Sequence, residues 1–579
     1  MRVPKPATPR GAAARATPAL RMGMVVLIFL ALVLLLWARM LQLTLLDQKF
    51  LRQQGDQRAS HLENVAASRG IIRDRLGNPL AVSSPVVSLW VNPRQLSANS
   101  DDMLEVAAQL HLDAREWQSR LQHNAGREFM YVQRDMDPSQ AHALLDQEVP
   151  GLYGQSEYQR FYPEGEPYAQ VIGFTNIDDR GSDGLELAYE HSLSGRPGER
   201  RVLTDLKGRQ IRDVAMLKAA VDGHDLDLSL DSRAQFLLYR DLAAQVMAQG
   251  ARSGMAVALD VQTGEVLAMV SVPSYNPNNR AHLTMEQLRN RVLTDSFEPG
   301  STMKPFTIAA ALESGRFNPH SMFDTRPGSM MVGNHVIHDD ADNGVIDMTG
   351  ILTKSSNIGA SQIALALPPE TLPAMFRRLG FGATTQSGFP GESSGRLPSS
   401  RLWKPIGLAH MAFGYGESVT LLQLARAYAA IADGGILHPV TFLLQRGPVP
   451  GVRVLDAHLC SQIISMLETV VEPGGTATQA QVPGYLVAGK TGTVHKVVNG
   501  SYSSDQYRGL FVGMAPASAP RVVLAVMIDT PTQGKYFGGQ VAAPVFAQAM
   551  GEILRLLDVA PDHSAEHLAD RSQRRGGAG

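Results

Sequence analysis

The first pattern along the chain is an apolar run close to its start. Residues 22–38 carry no charge and are rich in Leu and Val, and residues 40–46 extend the run past Arg39. A helix needs about 17–25 apolar residues to cross a bilayer, so the pattern predicts one transmembrane helix over 22–41. A cleavable leader would be shorter and would end in a small-residue cleavage site, and none follows Trp37. Mixed polar and apolar positions from 45 to about 65 predict a helix continuing outward. From 69 to about 218 the chain reads as short strands, turns and modest helices. Residues 73–79 make a turn with Gly77 and Asn78 placed for positive φ, and 102–121 has helical spacing.

The texture changes near Gly223. Residues 225–230 alternate strictly (Asp-Leu-Asp-Leu-Ser-Leu), the period of a half-exposed strand. Helical periodicity follows over 235–249. Residues 254–259 and 265–270 then flank Gln262-Thr263-Gly264, a hairpin signal. Further strands are predicted at 486–488, 509–514 and 522–528, with a helix over 541–557. Hairpins and long helices in separate runs imply an α+β fold with an antiparallel sheet rather than a doubly wound one.

Charge and composition sharpen this picture in two places. The net charge of −2 over 579 residues supplies no field for nucleic acid or another polyanion, and no nucleic-acid partner is expected. At the start, however, Arg2, Lys5, Arg10, Arg15 and Arg21 all precede the first acid, Asp47. The positive-inside rule puts this basic end in the cytoplasm and the rest of the chain across the membrane. Residues 1–21 thus read as a disordered cytoplasmic tail, and 561–579, polar and ending in glycines, as a flexible one. Cys460 is the only cysteine, so no internal disulfide can form.

Three short elements carry candidate chemistry, in this order: Ser301-Thr302-Met303-Lys304, Ser355-Ser356-Asn357 and Lys490-Thr491-Gly492-Thr493. Each alone is a weak signal, and Ser-x-Asn recurs at Ser97-Ala98-Asn99, a predicted loop. Context strengthens them. Phe297-Glu298-Pro299-Gly300 cannot be helical throughout, whereas 302–312 is helix-forming, so Ser301 sits at a helix N-terminus where unpaired N–H groups favour an anion. Lys304 lies one turn on, on the same face. A serine hydroxyl needs a base, and lysine can be that base only if burial or a neighbouring cation, for which Lys490 is a candidate, lowers its pKa. Residues 487–493 read as a strand whose glycine lets a substrate backbone lie against its edge. Lys490, Thr491 and Thr493 offer donors to a substrate carboxylate, and the N–H groups of Ser301 and Thr493 an oxyanion hole. Ser355 is the candidate proton relay and Asn357 the holder of the substrate amide; otherwise Ser301 and Ser355 are ordinary helix caps and Lys490 a solvated lysine on an exposed edge strand.

This set of three is the known signature of penicillin-binding proteins and class A β-lactamases. The chain resembles one subgroup closely, the class B penicillin-binding proteins of the division (septal) type. The likeness extends to Arg69-Gly70-Ile71-Ile72-Arg73-Asp74, Arg160-Phe161-Tyr162-Pro163, Gly184-Leu185-Glu186, Tyr275-Asn276-Pro277-Asn278-Asn279, Gly388-Phe389-Pro390-Gly391-Glu392, Phe413-Gly414-Tyr415-Gly416 and Gly538-Gly539. The resemblance implies an elongated α+β pedestal (dimerisation-type) domain over 42–222 and a transpeptidase domain of the penicillin-binding and serine β-lactamase type over 223–560. It implies a D,D-transpeptidase that attacks stem peptides ending in D-Ala-D-Ala through Ser301, needs no cofactor or metal, and is acylated by β-lactams. It also implies a partner, a polytopic glycosyltransferase of the shape, elongation, division and sporulation family, together with other division proteins at the inner membrane.

Two positions depart from the family pattern. Glu417 follows the 413–416 turn where an apolar residue is expected, and Val494-His495 follows the Lys-Thr-Gly-Thr strand where Ala and a basic residue are common. Both fit a paralogue of the main division enzyme. Other readings are a β-lactamase, which lacks a convincing deacylating glutamate between Ser355 and Lys490, a β-lactam sensor, and a division scaffold with little turnover. A metal site at His335, His338, Asp339, Asp340 and Asp342 is not expected, since i and i+3 on a strand face opposite ways.

Overall fold

The computed structural model describes residues 18–49, 60–94, 101–149, 151–204, 210–398, 404–498 and 500–562. The basic tail over residues 1–17, the second Ser-x-Asn and most of the C-terminal tail lie outside these residues. The apolar run forms a helix, Pro18–Leu41, followed by a π-helical turn, Gln42–Leu46. Twenty-four residues at 1.5 Å each give about 36 Å, enough to cross a hydrocarbon core of about 30 Å. An 18-residue window within Leu20–Leu46 has a mean hydropathy of 2.7, and none of that window is buried in protein. The helix expected to run on from 45 to 65 is corrected at its far end: Ser60–Val65 is a strand. Leu62 and Val65 are three apart, the spacing of a helix and not of a strand, and the long-range pairing with Gly198–Thr204 overrides it.

The chain folds into two compact units, each drawn from separate stretches of sequence. The first takes residues 1–66, 88–155 and 197–220, the second residues 67–87, 156–196 and 221–579. In the first, Ser60–Val65, Gly198–Thr204 and Gln210–Lys218 form a three-stranded antiparallel sheet in that order. The helical spacing over 102–121 becomes two helices, Asp101–Gln109 and Ala114–His123. The break has a local cause: His111 takes a positive φ of 53°, and the Asp113 carboxylate caps the second helix by accepting from the N–H groups of Arg115 and Glu116.

In the second unit, several scattered motif residues meet. Glu186 has no exposed side-chain surface and bridges two buried guanidiniums, with Oε2 accepting from Arg69 Nε and Oε1 from Arg160 Nε, each at 2.6 Å. Arg69 also pairs with Glu190 at 2.6 Å. In the turn over 73–79 only Gly77 adopts positive φ, at 88°, and Asn78 does not. Asp74 closes that turn by accepting from the main-chain N–H groups of Leu76 and Asn78.

The centre of this unit is a five-stranded antiparallel sheet. Its strands, numbered within it, are β1 (Ser253–Asp260), β2 (Val266–Val272), β3 (Ala488–Val498), β4 (Ser501–Ala515) and β5 (Val522–Asp529). The order is β2-β1-β5-β4-β3. Only the β1–β2 and β3–β4–β5 links are local; β5 closes the sheet by pairing Val526 with Ala256. All eight residues of β1 are buried, so both faces of the sheet are covered. Helices Ser232–Ala248 and Ala543–Leu556 pack together against it, and helix Leu421–Ala432 packs on β1 and β5. This order leaves β3, which carries Lys490 to Thr493, at the edge of the sheet.

Candidate active site

Ser301 is held by a turn that only these residues allow. Gly300 has a φ of 58°, and the 3-10 turn Gly300–Met303 runs into helix Lys304–Glu313, here the serine helix. The Gly300 N–H donates to the Gly414 carbonyl at 3.0 Å, and a Cβ on Gly414 would lie 2.0 Å from the Gly300 oxygen. The Phe413-Gly414-Tyr415-Gly416 turn therefore needs its glycine to lie against the nucleophile's turn. From the next turn, fully buried Lys304 brings Nζ to 2.9 Å from Ser301 Oγ, 2.9 Å from Asn357 Oδ1 and 3.2 Å from Ser355 Oγ, and it also donates to the Ser355 carbonyl.

The second element is set by strain and by a carboxylate. Ser355 adopts a φ of 59°, an uncommon conformation for a residue with a Cβ, and it faces both lysines. The helix cap is instead Ser356, whose Oγ accepts from the Gly359 N–H at 3.0 Å. Asp339 pins this turn: Oδ2 accepts from Ser356 Oγ at 2.5 Å, and Oδ1 accepts from the N–H groups of Asn357 and Ile358 at 2.5 and 3.0 Å. Asn357 Nδ2 donates to the His338 carbonyl at 2.9 Å, leaving its Oδ1 towards Lys304. Asp339 was not legible as a functional residue in the sequence, where it appeared only in an acidic cluster. Among the described residues no group of three His, Cys, Asp or Glu side chains is placed to hold a metal ion.

Edge strand β3 supplies the third element. Lys490 is fully buried and donates to Ser355 Oγ at 3.0 Å. Thr491 Oγ1 lies 2.8 Å from Thr476 Oγ1, and Thr493 Oγ1 accepts from the Gly538 N–H at 3.1 Å. The glycine between them fits strand to helix: a Cβ on Gly492 would lie 3.0 Å from Thr302 Cγ2 and 3.1 Å from the Pro299 oxygen. Val494 is buried, and its Cγ2 lies 2.6 Å from where a Gly300 Cβ would be.

Burial dominates the electrostatics. Desolvation lowers the pKa of Lys304 to about 7, against the opposing pull of the Asp339 and Asp340 charges. Lys490 falls well below the usual lysine range, through burial first and the charge of Lys304 second. Burial thus disfavours the charged form of both lysines, and each makes the charge of the other less favourable. Near neutral pH a neutral Lys304 amine can accept a proton from Ser301, and Ser355 can pass one along the hydrogen-bonded row.

These groups open on a cleft of about 610 Å³ lined by Ser301, Ser355, Asn357, Thr491 and Thr493, with His495, Tyr415, Tyr507 and Tyr536 on its walls. His495 Nδ1 lies 2.8 Å from the Ser503 carbonyl, and its ring packs on Tyr507 at 4.6 Å. Tyr507 stacks on Tyr536 at 4.2 Å. These tyrosines carry no short motif and only the tertiary fold brings them here. An activated serine, a buried amine, a row of hydroxyls and an edge strand suit acyl transfer to and from an extended peptide.

Residues 254–551 match the family model described as the penicillin-binding protein transpeptidase domain, and residues 64–228 match the penicillin-binding protein dimerisation domain. Over 554 residues the chain is 43% identical to the probable peptidoglycan D,D-transpeptidase PbpC of Pseudomonas aeruginosa, covering 95% of this chain and 98% of that protein. It is 41% identical over 540 residues to the peptidoglycan D,D-transpeptidase FtsI of Escherichia coli, covering 92% and 91%. The transpeptidase domain of penicillin-binding protein 3 from Burkholderia pseudomallei superposes with a TM-score of 0.54 at 44% identity, covering 58% of this chain and 98% of that one.

Proposed function

The chain belongs to the class B penicillin-binding proteins, and we propose that it works as a peptidoglycan D,D-transpeptidase through an acyl-enzyme on Ser301. The observation that carries the assignment of roles is the row Ser301–Lys304–Ser355–Lys490, with consecutive separations of 2.9, 3.2 and 3.0 Å. Ser301 Oγ attacks the penultimate carbonyl of a stem peptide ending in D-Ala-D-Ala, and its proton passes to Lys304. Negative charge on the carbonyl oxygen is met by the N–H groups of Ser301 and Thr493. The C–N bond then breaks, and the departing D-Ala amine takes a proton through Ser355. An amine from a second stem peptide attacks the ester, gives up a proton along the same row, and frees Ser301. Asn357 holds the donor amide. Lys490, Thr491 and Thr493 hold its terminal carboxylate, and Gly492 keeps edge strand β3 close to the serine turn. A β-lactam is an amide of the same shape whose leaving group stays tethered, so the ester it forms persists.

The apolar helix reads as a single-pass anchor, with the basic N-terminal end cytoplasmic and the catalytic unit outside the inner membrane. The domain over 42–222 is read as the non-catalytic pedestal and that over 223–560 as the transpeptidase domain. Glycan polymerisation is left to a polytopic glycosyltransferase partner, and septal synthesis is the reading the FtsI likeness favours. The test is labelling of the full chain in detergent with a fluorescent penicillin, beside Ser301→Ala, followed by intact mass. A stable adduct on the wild type and none on the variant supports the reading. Hydrolysed penicillin without an adduct points to a β-lactamase, and intact penicillin without an adduct to a scaffold.

A further inference from the structure

Glu417 follows the turn that touches the serine loop, and only 2% of its surface is exposed. Neither of its carboxyl oxygens meets a donor from another residue; the one hydrogen-bonding influence on it is its own main-chain N–H. Its neighbour across the turn, Glu298, accepts from the Gly416 N–H at 2.9 Å and the Tyr502 hydroxyl at 3.1 Å through Oε1, while Oε2 is buried and unpaired. Both oxygens of Glu417 and one of Glu298 thus lack donors, where buried polar atoms are ordinarily satisfied.

Glu417 also lines a pocket of about 150 Å³ with Gly407, His410, Met411 and Tyr415. That volume is below the usual range for drug-sized ligands, about 300–1,000 Å³, and suits a short chain ending in one charged group. We propose that this pocket binds a primary alkylammonium, with Glu417 as its anionic partner. An ammonium brings three donors and one positive charge, which is what the unpaired oxygens lack.

The groups facing Glu417 supply no such cation. His410 is the only base among the lining residues, and burial lowers its pKa, keeping it neutral. Burial and the charge of Glu298 push the Tyr415 phenol up to about 12, and Tyr502 is shifted in the same direction. Burial pushes the Glu417 pKa well above the usual carboxylate range, and the charge of Glu298 adds to the rise, so an ammonium beside it would favour its charged form.

Tyr415 lines both this pocket and the main cleft. The segment also pairs with the approach to Ser301, through Gly414 to Gly300 and Val419 to Phe297. An occupant therefore touches a cleft wall. On the transpeptidase reading, on which this one step rests, the ammonium is the acceptor stem peptide's amine held before it leaves the pocket, loses a proton and attacks the ester; the other source is a free short amine.

The experiment is saturation-transfer NMR of the full chain in detergent with n-propylammonium, and n-propanol as the uncharged control, on wild type, Glu417→Gln and Glu417→Leu. Saturable ammonium binding by the wild type, at least tenfold weaker in both variants and absent for n-propanol, is expected. Melting curves on the same samples identify a variant that fails to fold; the glutamine variant keeps the shape of the side chain. No saturable binding by the wild type, binding unchanged in folded variants, or equal binding of n-propanol overturns the proposal. Given binding, a raised KM for an acceptor peptide in Glu417→Gln at constant acylation rate assigns the ammonium to the peptide, and an unchanged KM assigns it to a free amine. A wild type that binds the ammonium but takes no penicillin label sinks the transpeptidase reading and leaves the pocket standing.

Discussion

Lys304 and Lys490 converge on one hydroxyl, their Nζ atoms 3.2 and 3.0 Å from Ser355 Oγ. Both are fully buried, so two charges there would face each other without water to separate them. The structure resolves this by lowering both pKa values. With Lys304 at about 7, its neutral form is the minority below that pH and the majority above it. A general base works only when neutral, so the rate of Ser301 acylation by a fluorescent penicillin should fall about tenfold per pH unit below 7 and level off above. A rate flat from pH 5 to 8 would remove Lys304 as the base.

Asp339 touches neither the nucleophile nor the base, yet it holds Asn357, which faces Lys304, and Ser356, the neighbour of Ser355. Its carboxylate holds Ser356 and the N–H groups of Asn357 and Ile358. Asp339→Ala removes these acceptors and releases Ser355 from its positive φ. Hydrogen bonds to a charged group contribute about 1.5–3 kcal/mol, and misplacing the relay converts to about a 10–100-fold slower acylation. The check is acylation against pH. A positioning role lowers the plateau and moves the midpoint, because Asp339 also opposes the lowering of Lys304. A purely structural role lowers the melting point and leaves the midpoint in place.

What could be read beforehand was whatever depends on local order. The hairpin of β1 and β2, the helix after Ser301 and the spacing of Ser301 to Lys304 all follow from propensity and from one turn of helix. The pairing of Ala256 with Val526 could not be read, because it depends on collapse across 270 residues, and it is this pairing that leaves Lys490 on an edge. Asp339 was hidden for a related reason: its partners lie up to 19 positions away, joined only when the 335–338 strand folds back. Glu417 stood out as an unexpected residue type, but its burial and missing donors needed coordinates. The strand at 60–65 was misread as helix because its partners lie near residue 200.

Glycines at the serine turn should rank by the contacts an added methyl meets. Gly492→Ala brings Cβ to 3.0 Å from Thr302 Cγ2 and 3.1 Å from the Pro299 oxygen, tight but open to a small shift. Gly414→Ala meets the Gly300 main chain at 2.0 Å and must hold a φ of 89°. Overpacking typically costs about 1–3 kcal/mol, which suits the first; the second adds backbone strain and should lose most of the folded protein. Acylation rates and melting points should therefore fall in the order wild type, Gly492→Ala, Gly414→Ala. Equal melting points for both variants would contradict the close seat of turn on turn.

Glu186 offers the sharpest separation of stability from chemistry. Its carboxylate is the shared partner of Arg69 and Arg160, all three with 1% or less of their side chains exposed. Glu186→Gln keeps the shape and removes the charge, leaving Arg69 its pair with Glu190 and the buried Arg160 guanidinium without its carboxylate. Breaking a buried ion pair by removing one partner costs about 3–5 kcal/mol, a large part of the about 5–15 kcal/mol that holds a typical protein folded. The variant should show a clearly lower urea midpoint. At low temperature, the molecules that remain folded should take penicillin label at nearly the wild-type rate, because none of these three side chains lines the cleft. A slow rate per folded molecule would mean that the network reaches Ser301 through the packing of its unit, and a wild-type midpoint would mean that water or another acceptor replaces the lost charge.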